Sequence, residues 1–227
     1  VVRSVTNILP NENIVYFGDT ARVPYGSKSN STVIEYSMEA ANFLLKKNIK
    51  LLVVACNTAS SVALETLQNT LSIPVIGMIE PGSDYALHTS QNKIIGVIGT
   101  HSTINNKAYS SRLHSLDSNA KVYEKACPLF VPFAEEGLVD HEALRLVAEE
   151  YLSELKYKGI DTLVLGCTHY PTLRKIIQNE IGEQVTLIDS GTPAAKIVED
   201  YLIEKGLKNS SHLTGTQEFF VSDVPAK

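Results

Sequence analysis

The sequence predicts an α/β fold made of two similar domains. Each has a mainly parallel sheet flanked by helices, the two are related by a pseudo-twofold axis, and their cleft holds the active site. Three observations predict it. First, Ile49–Thr58 (IKLLVVACNT) and Ile160–His169 (IDTLVLGCTH) share a pattern, with Ile, Leu, Val and Cys in register at a constant offset of 111 positions. Second, apolar β-branched runs alternate with helical patterns almost throughout, the signature of parallel strands crossed over by helices. Third, the cycle of helix, strand, cysteine, helix, strand and acid occurs twice, with Glu80 and Asp189 at corresponding strand ends. Ligands of open α/β sheets bind beyond the carboxyl ends of the strands. The repeat therefore predicts one pocket with a thiol on either side.

The elements follow in order. Val1, Val2, Val5, Ile8 and Leu9 keep helical spacing until Pro10 ends the helix. The chain does not open on Met, and neither a cap nor a strand leads into this helix, so a first strand is expected upstream. Residues 13–17 read as a strand and 18–29 as a loop rich in turn formers. Residues 31–47 carry one apolar helical face, with Val33, Ile34, Ala40, Ala41, Leu44 and Leu45. Strand 51–55, helix 59–70 and strand 75–79 follow, and Glu80-Pro81-Gly82 reads as a break. A second cycle runs through strand 94–98, helix 104–116 and strand 121–125. A loop bracketed by Pro128 and Pro132 leads to Glu135-Glu136-Gly137. Helix 143–157, strand 162–166, helix 173–180, strand 185–188 and helix 193–205 complete the cycle, with Pro193 placed where a missing N–H is harmless. Phe219–Val221 reads as a last short strand. The domains are expected at 1–80 plus 190–227 and at 81–189.

Composition narrows the function classes. The chain has 227 residues, 44% hydrophobic and 20% charged, with a net charge of −5. Lys and Arg form no cluster of the kind that tracks nucleic acid. The longest apolar run, Leu51–Cys56, is far short of the roughly 20 residues that span a bilayer. The three cysteines, Cys56, Cys127 and Cys167, make neither a disulfide framework nor a C-x-x-C zinc pair. A reducing cytoplasm suits them.

Chemistry concentrates at the repeated strand ends. A thiol at a strand-to-helix junction sits in a field that favours anions and lowers its pKa. Asn57, Thr58 and Thr168 add donors for a carboxylate, and His169 stands two residues past Cys167, where it can orient or activate it. A buried cysteine is more often simple packing, but two in register, each trailed by Asn or Thr, argue otherwise. Cys127 has no counterpart and is assigned to packing. The Gly18–Gly26 loop can hold ligand, or can be a surface turn closed by an Asp19–Arg22 pair. Gly96–Thr100 lacks the third glycine of a dinucleotide loop. Thr100 and Thr103 can donate to a carboxylate or serve as a helix cap. One of Glu135 and Glu136 can transfer protons with Cys167 or meet an ammonium; consecutive acids are otherwise a solvated turn. The remaining histidines show no metal-ligand spacing, and neither metal nor cofactor is expected.

Taken together, GDTARVPYG at 18–26, ACNTAS at 55–60, CPLFVP at 127–132, EEG at 135–137 and GCTHYP at 166–171 resemble the glutamate racemases, essentially end to end and in that family's order. The resemblance implies a cofactor-independent enzyme that interconverts L- and D-glutamate, the D form serving peptidoglycan synthesis. It matches the two catalytic cysteines to Cys56 and Cys167, and the assisting acid and histidine to Glu136 (Glu135 as the fallback) and His169. It matches substrate-binding positions to Tyr25, Gly26, Asn57, Thr58, Thr168 and His169, and more loosely to Thr100 and Thr103. It also implies a homodimer. The family opens with a strand and an Asp-Ser-Gly-rich loop whose Asp assists the first cysteine, and this stretch is expected upstream of Val1.

Racemisation fits the repeat, because two acid–base groups flanking Cα reach both faces of the substrate. Three other readings stay open. One is thiol hydrolysis or redox chemistry by Cys167 and His169, which leaves Cys56 unexplained. The second is an amino-acid-binding protein without turnover. The third is an aspartate racemase.

Overall fold

The computed structural model describes residues 1–224. The chain runs α1 (Val2–Ile8), β1 (Ile14–Gly18), α2 (Asn30–Leu45), β2 (Leu52–Val53), α3 (Asn57–Val62), α4 (Leu64–Thr70), β3 (Val75–Ile76), α5 (Ile79–Thr89), β4 (Ile94–Gly99), α6 (His101–Asn105), α7 (Ala108–Leu116), β5 (Lys121–Ala126), α8 (Phe130–Glu135), α9 (Glu142–Lys156), β6 (Thr162–Gly166), α10 (Arg174–Ile181), β7 (Thr186–Asp189), α11 (Gly191–Glu204) and β8 (Gln217–Val221). The alternation read from the sequence is therefore present, and every strand pairing is parallel.

The second half of the chain forms one four-stranded sheet, ordered β5-β4-β6-β7. Its central strands are apolar on both faces, as a doubly covered sheet requires. Ile98, Leu163 and Leu165 pack under α9, α10 and Phe130. Ile95, Val97 and Val164 point the other way, onto α5 and α7. The period-two alternation thus splits one sheet between two apolar layers. In the first half, β1 pairs with β8 and β2 with β3, giving two separate two-stranded sheets. Residues of β1 and of the segment around β2, among them Val15, Phe17, Leu51 and Val53, line a cavity of about 970 Å³. Both halves keep the parallel pairing that the repeat predicts.

Several local expectations are corrected. Glu80-Pro81-Gly82 is not a break but the first turn of α5. Pro81 sits where a helix N–H has no intrahelical acceptor, so its missing proton costs little. Gly82 serves close packing: a Cβ there would lie 2.4 Å from Ser190 Oγ. Glu80 therefore has no place equivalent to Asp189; it joins Asp84 around Arg112, at 3.1 and 2.9 Å, on the α5–α7 surface. The helix read at 59–70 begins at Asn57 and is broken at Ala63. The helix read at 104–116 is two, joined at Lys107, whose φ of 51° is left-handed. The stretch after Pro128 turns helical at Phe130, giving α8.

Among the described residues no helix is long and apolar enough to cross a membrane.

Candidate active site

The carboxyl ends of the strands deliver the chemistry. β2 leads through Val54 and Ala55 to Cys56, which occupies the N-cap of α3. β6 leads directly to Cys167. β4 ends at Gly99, and Thr100 caps α6 by accepting from the Thr103 N–H at 3.2 Å. Cys56, Asn57, Thr58, Thr100, Cys167, Thr168 and His169 line one end of the large cavity, together with Tyr25, Gly26 and Glu135. Two segments far apart in sequence thus bring their thiols to one space.

His169 links Cys167 to an acid. Its Nδ1 lies 3.6 Å from Cys167 Sγ, and its Nε2 lies 3.2 Å from Glu135 Oε1. This revises the choice between the two adjacent acids. Glu135, the last residue of α8, lines the cavity; Glu136 is the C-cap residue and does not. One residue of helical rotation, about 100°, separates the two side chains.

Beside Cys56, the hydroxyls of Thr58, Thr100 and Thr103 form a closed triangle of 2.9, 3.3 and 3.1 Å. Thr103, fully buried, stands behind the other two and does not line the cavity. It therefore supports Thr58 and Thr100, and its expected direct contact with ligand is not available from this position. Tyr25 is fixed by Asp19, which accepts from its hydroxyl; Asp19 also takes Arg22, and Arg22 reaches Glu39 and covers the Tyr36 ring. The surface turn and the ligand-facing loop are thus one structure. Gly26 touches the second half of the chain, since a Cβ there would come 2.5 Å from Thr100 Cβ.

The thiol pKa values move against expectation. Burial pushes Cys167 up to about 12, opposed by the N–H groups of His169 and Tyr170, while negative charge at Cys56 and at Glu135 adds to the rise. Burial also raises Cys56, against the Ala59 and Thr58 N–H groups and the Thr58 hydroxyl. Helix fields were expected to win. They do not: at both thiols burial outweighs the backbone N–H groups that oppose it. Cys127 is fully buried in the apolar layer under α9, as its packing assignment requires.

Two neighbours of the site carry no signal in the sequence. Tyr109, on α7, donates its hydroxyl to Asn57 Oδ1 at 2.6 Å and lies 3.0 Å from Ser190 Oγ. On a helix face, an aromatic at this position reads only as core.

A family model described as Asp/Glu/hydantoin racemase matches residues 1–198. The chain belongs to that family. Among its relatives are the glutamate racemases of Geobacter metallireducens, 52% identical, and Chlorobaculum tepidum, 49% identical; each match covers all of this chain and 84% of the relative. Solved family members superpose closely. Glutamate racemase isoform RacE1 from Bacillus anthracis gives a TM-score of 0.95 at 40% identity, covering 98% of this chain and 84% of that one. The Francisella tularensis glutamate racemase, solved with D-glutamate, gives 0.92 at 39% identity, covering 99% and 84%. The doubly wound parallel arrangement is thus the family's fold, and an amino-acid racemase is its enzyme class.

Proposed function

We propose that this chain is a glutamate racemase that moves the Cα proton between two cysteines. The observation that carries the reading is that Cys56 and Cys167 line one cavity from opposite halves of the chain. A thiolate on one side takes the Cα proton while the thiol opposite delivers another. The roles exchange with the stereochemistry of the substrate. General acid–base transfer of this kind contributes roughly 10²–10⁴-fold. The remainder comes from holding the substrate and from stabilising negative charge that spreads from Cα into its carboxylate. Asn57, Thr58, Thr100 and Thr168 supply donors for that carboxylate, and Tyr25 and Gly26 close the near wall. Glu135 holds His169, and His169 exchanges a proton with Cys167.

Glutamate as the substrate is supported by the named activity of the relatives and by D-glutamate in one of the solved neighbours. The reading carries with it D-glutamate supply for peptidoglycan, action without pyridoxal phosphate, a cytoplasmic site suited to three free thiols, and a homodimer. Thiol hydrolysis by Cys167 and His169 would leave Cys56 without a role.

The test is incubation with L-glutamate in D₂O, without pyridoxal phosphate or added metal, following Cα deuteration by NMR together with optical rotation. Rotation should decay as deuterium enters the product, and Cys56→Ala and Cys167→Ala should each abolish racemisation. A folded sample that neither exchanges nor racemises would defeat the proposal, as would near-normal turnover by either variant. Parallel incubation with L-aspartate reads chain-length preference.

A further inference from the structure

Tyr109 is fully buried beside the two cysteines, at 0% exposure. It comes from α7, yet it touches both cysteine turns. Its hydroxyl reaches Asn57, the residue after Cys56. Its ring edge abuts Gly166, the residue before Cys167; a Cβ on Gly166 would lie 3.1 Å from Tyr109 Cε2. Behind the hydroxyl stands Ser190, at the end of β7, packed on the bare Gly82 of α5.

With the Tyr109 hydroxyl donating to Asn57 Oδ1, the rest of the polarity follows by counting protons. A phenol has one proton to give. At 2.6 Å that proton goes to Asn57 Oδ1. The 3.0 Å contact with Ser190 must then be a donation from the serine hydroxyl to the phenol oxygen. Asn57 Oδ1 is therefore held inside the protein. Its Nδ2 takes no partner among the described residues, and Asn57 lines the cavity, which leaves this end of the amide for a ligand. An asparagine amide left to itself can present either end, and only the NH₂ end suits a carboxylate.

We propose that Tyr109, backed by Ser190, is a positioning residue for racemisation: it selects the orientation of the Asn57 amide that presents Nδ2–H to a substrate carboxylate. The inference rests on the racemase reading of the site and adds two residues to it. Burial raises the Tyr109 pKa, so the phenol keeps its proton, and the amide its orientation, through neutral and mildly alkaline pH. Hydrogen bonds within a buried network polarise one another, so removal of one member is felt at the end of the chain.

The experiment compares the unmodified enzyme with Tyr109→Phe, Ser190→Ala, Asn57→Ala and the double variant Tyr109→Phe/Asn57→Ala. It measures KM and kcat in both directions, glutamate affinity by calorimetry, and the thermal midpoint. Tyr109→Phe should raise KM and weaken glutamate binding about tenfold, the size expected when a hydrogen bond to a charged ligand is misaimed. Its effect on kcat should be smaller. Ser190→Ala should act in the same direction by a few-fold. In the Asn57→Ala background, Tyr109→Phe should change affinity by less than about twofold, because the group it orients is gone. A purely structural tyrosine would lower the thermal midpoint and leave affinity unmoved. That outcome overturns the proposal, as does an equally large affinity loss with and without Asn57. If Tyr109→Phe does not fold, Ser190→Ala alone decides, and unchanged affinity there overturns it. Failure of the unmodified enzyme to racemise would count against the racemase reading itself and is seen before any variant is made.

Discussion

A thiol becomes a base only when it loses its proton, and the surroundings of Cys167 make that loss hard. With its pKa pushed to about 12 by burial, Cys167 holds its proton at neutral pH until a partner takes it. The partner in reach is His169, itself held by Glu135 at 3.2 Å. Alkylation of Cys167 by iodoacetamide should quicken about tenfold per pH unit from pH 7 to 10, since the reactive thiolate grows in that proportion well below the pKa. Mass spectrometry of the peptide reads the rate, and a plateau above about pH 9 would mean a normal thiol. Glu135→Gln should lower kcat about 10- to 100-fold, within the range of acid–base contributions, while Glu136→Gln should change it less than about twofold. The reverse order would return the role to Glu136. The pair also shows what one sequence leaves open: adjacent acids differ by a helical rotation, and that rotation is set by where Phe130 and Val131 bury.

At the scale of elements, the two halves of the chain meet through small residues and short caps. Gly26 leaves room for Thr100, which both caps α6 and lines the cavity. Gly26→Ala places a carbon 2.5 Å from Thr100 Cβ, so one of the two segments must yield. Overpacking of this kind costs about 1–3 kcal/mol. The thermal midpoint should fall and KM for glutamate should rise at least several-fold; unchanged values for both would show that the loop shifts freely. The order of strands and helices was legible because burial on both faces of a parallel sheet forces continuous apolar runs, as at Thr162–Gly166, and amphipathic helices leave their own period. Cys56, Asn57, Thr58, Cys167 and His169 were legible because the repeat sets them in register. Local breaks were less so. Pro81 and Gly82 read as a turn from their own chemistry, whereas their positions depend on the helix start and on Ser190. The bridging role of Tyr109 depends on contacts between residues far apart, which no local pattern encodes.

At the scale of the whole molecule, these thiols link the site to stability. Cys56, Cys127 and Cys167 all have pKa values raised by burial in the folded chain. In the unfolded chain they titrate near the ordinary thiol value, about 8.5. Below that pH both states carry the protons and the thiols do not alter stability with pH. Above it the unfolded chain gives up protons that the folded chain keeps. The unfolded state then binds fewer protons, so stability must fall as pH rises, until the folded thiols also ionise near pH 12 for Cys167. Tyrosines enter only near pH 10, which leaves a window of about 8.5 to 10 governed mainly by the thiols. Thermal midpoints should be level from pH 7 to 8 and decline through that window. Cys127→Ala/Cys167→Ala should flatten the decline, even though removing buried sulfur lowers stability at every pH. An undiminished slope in the double variant would show that the thiols are not the linked groups. It would also remove the support that buried, protonated cysteines give to a mechanism in which one thiol must be ready to donate as the other accepts.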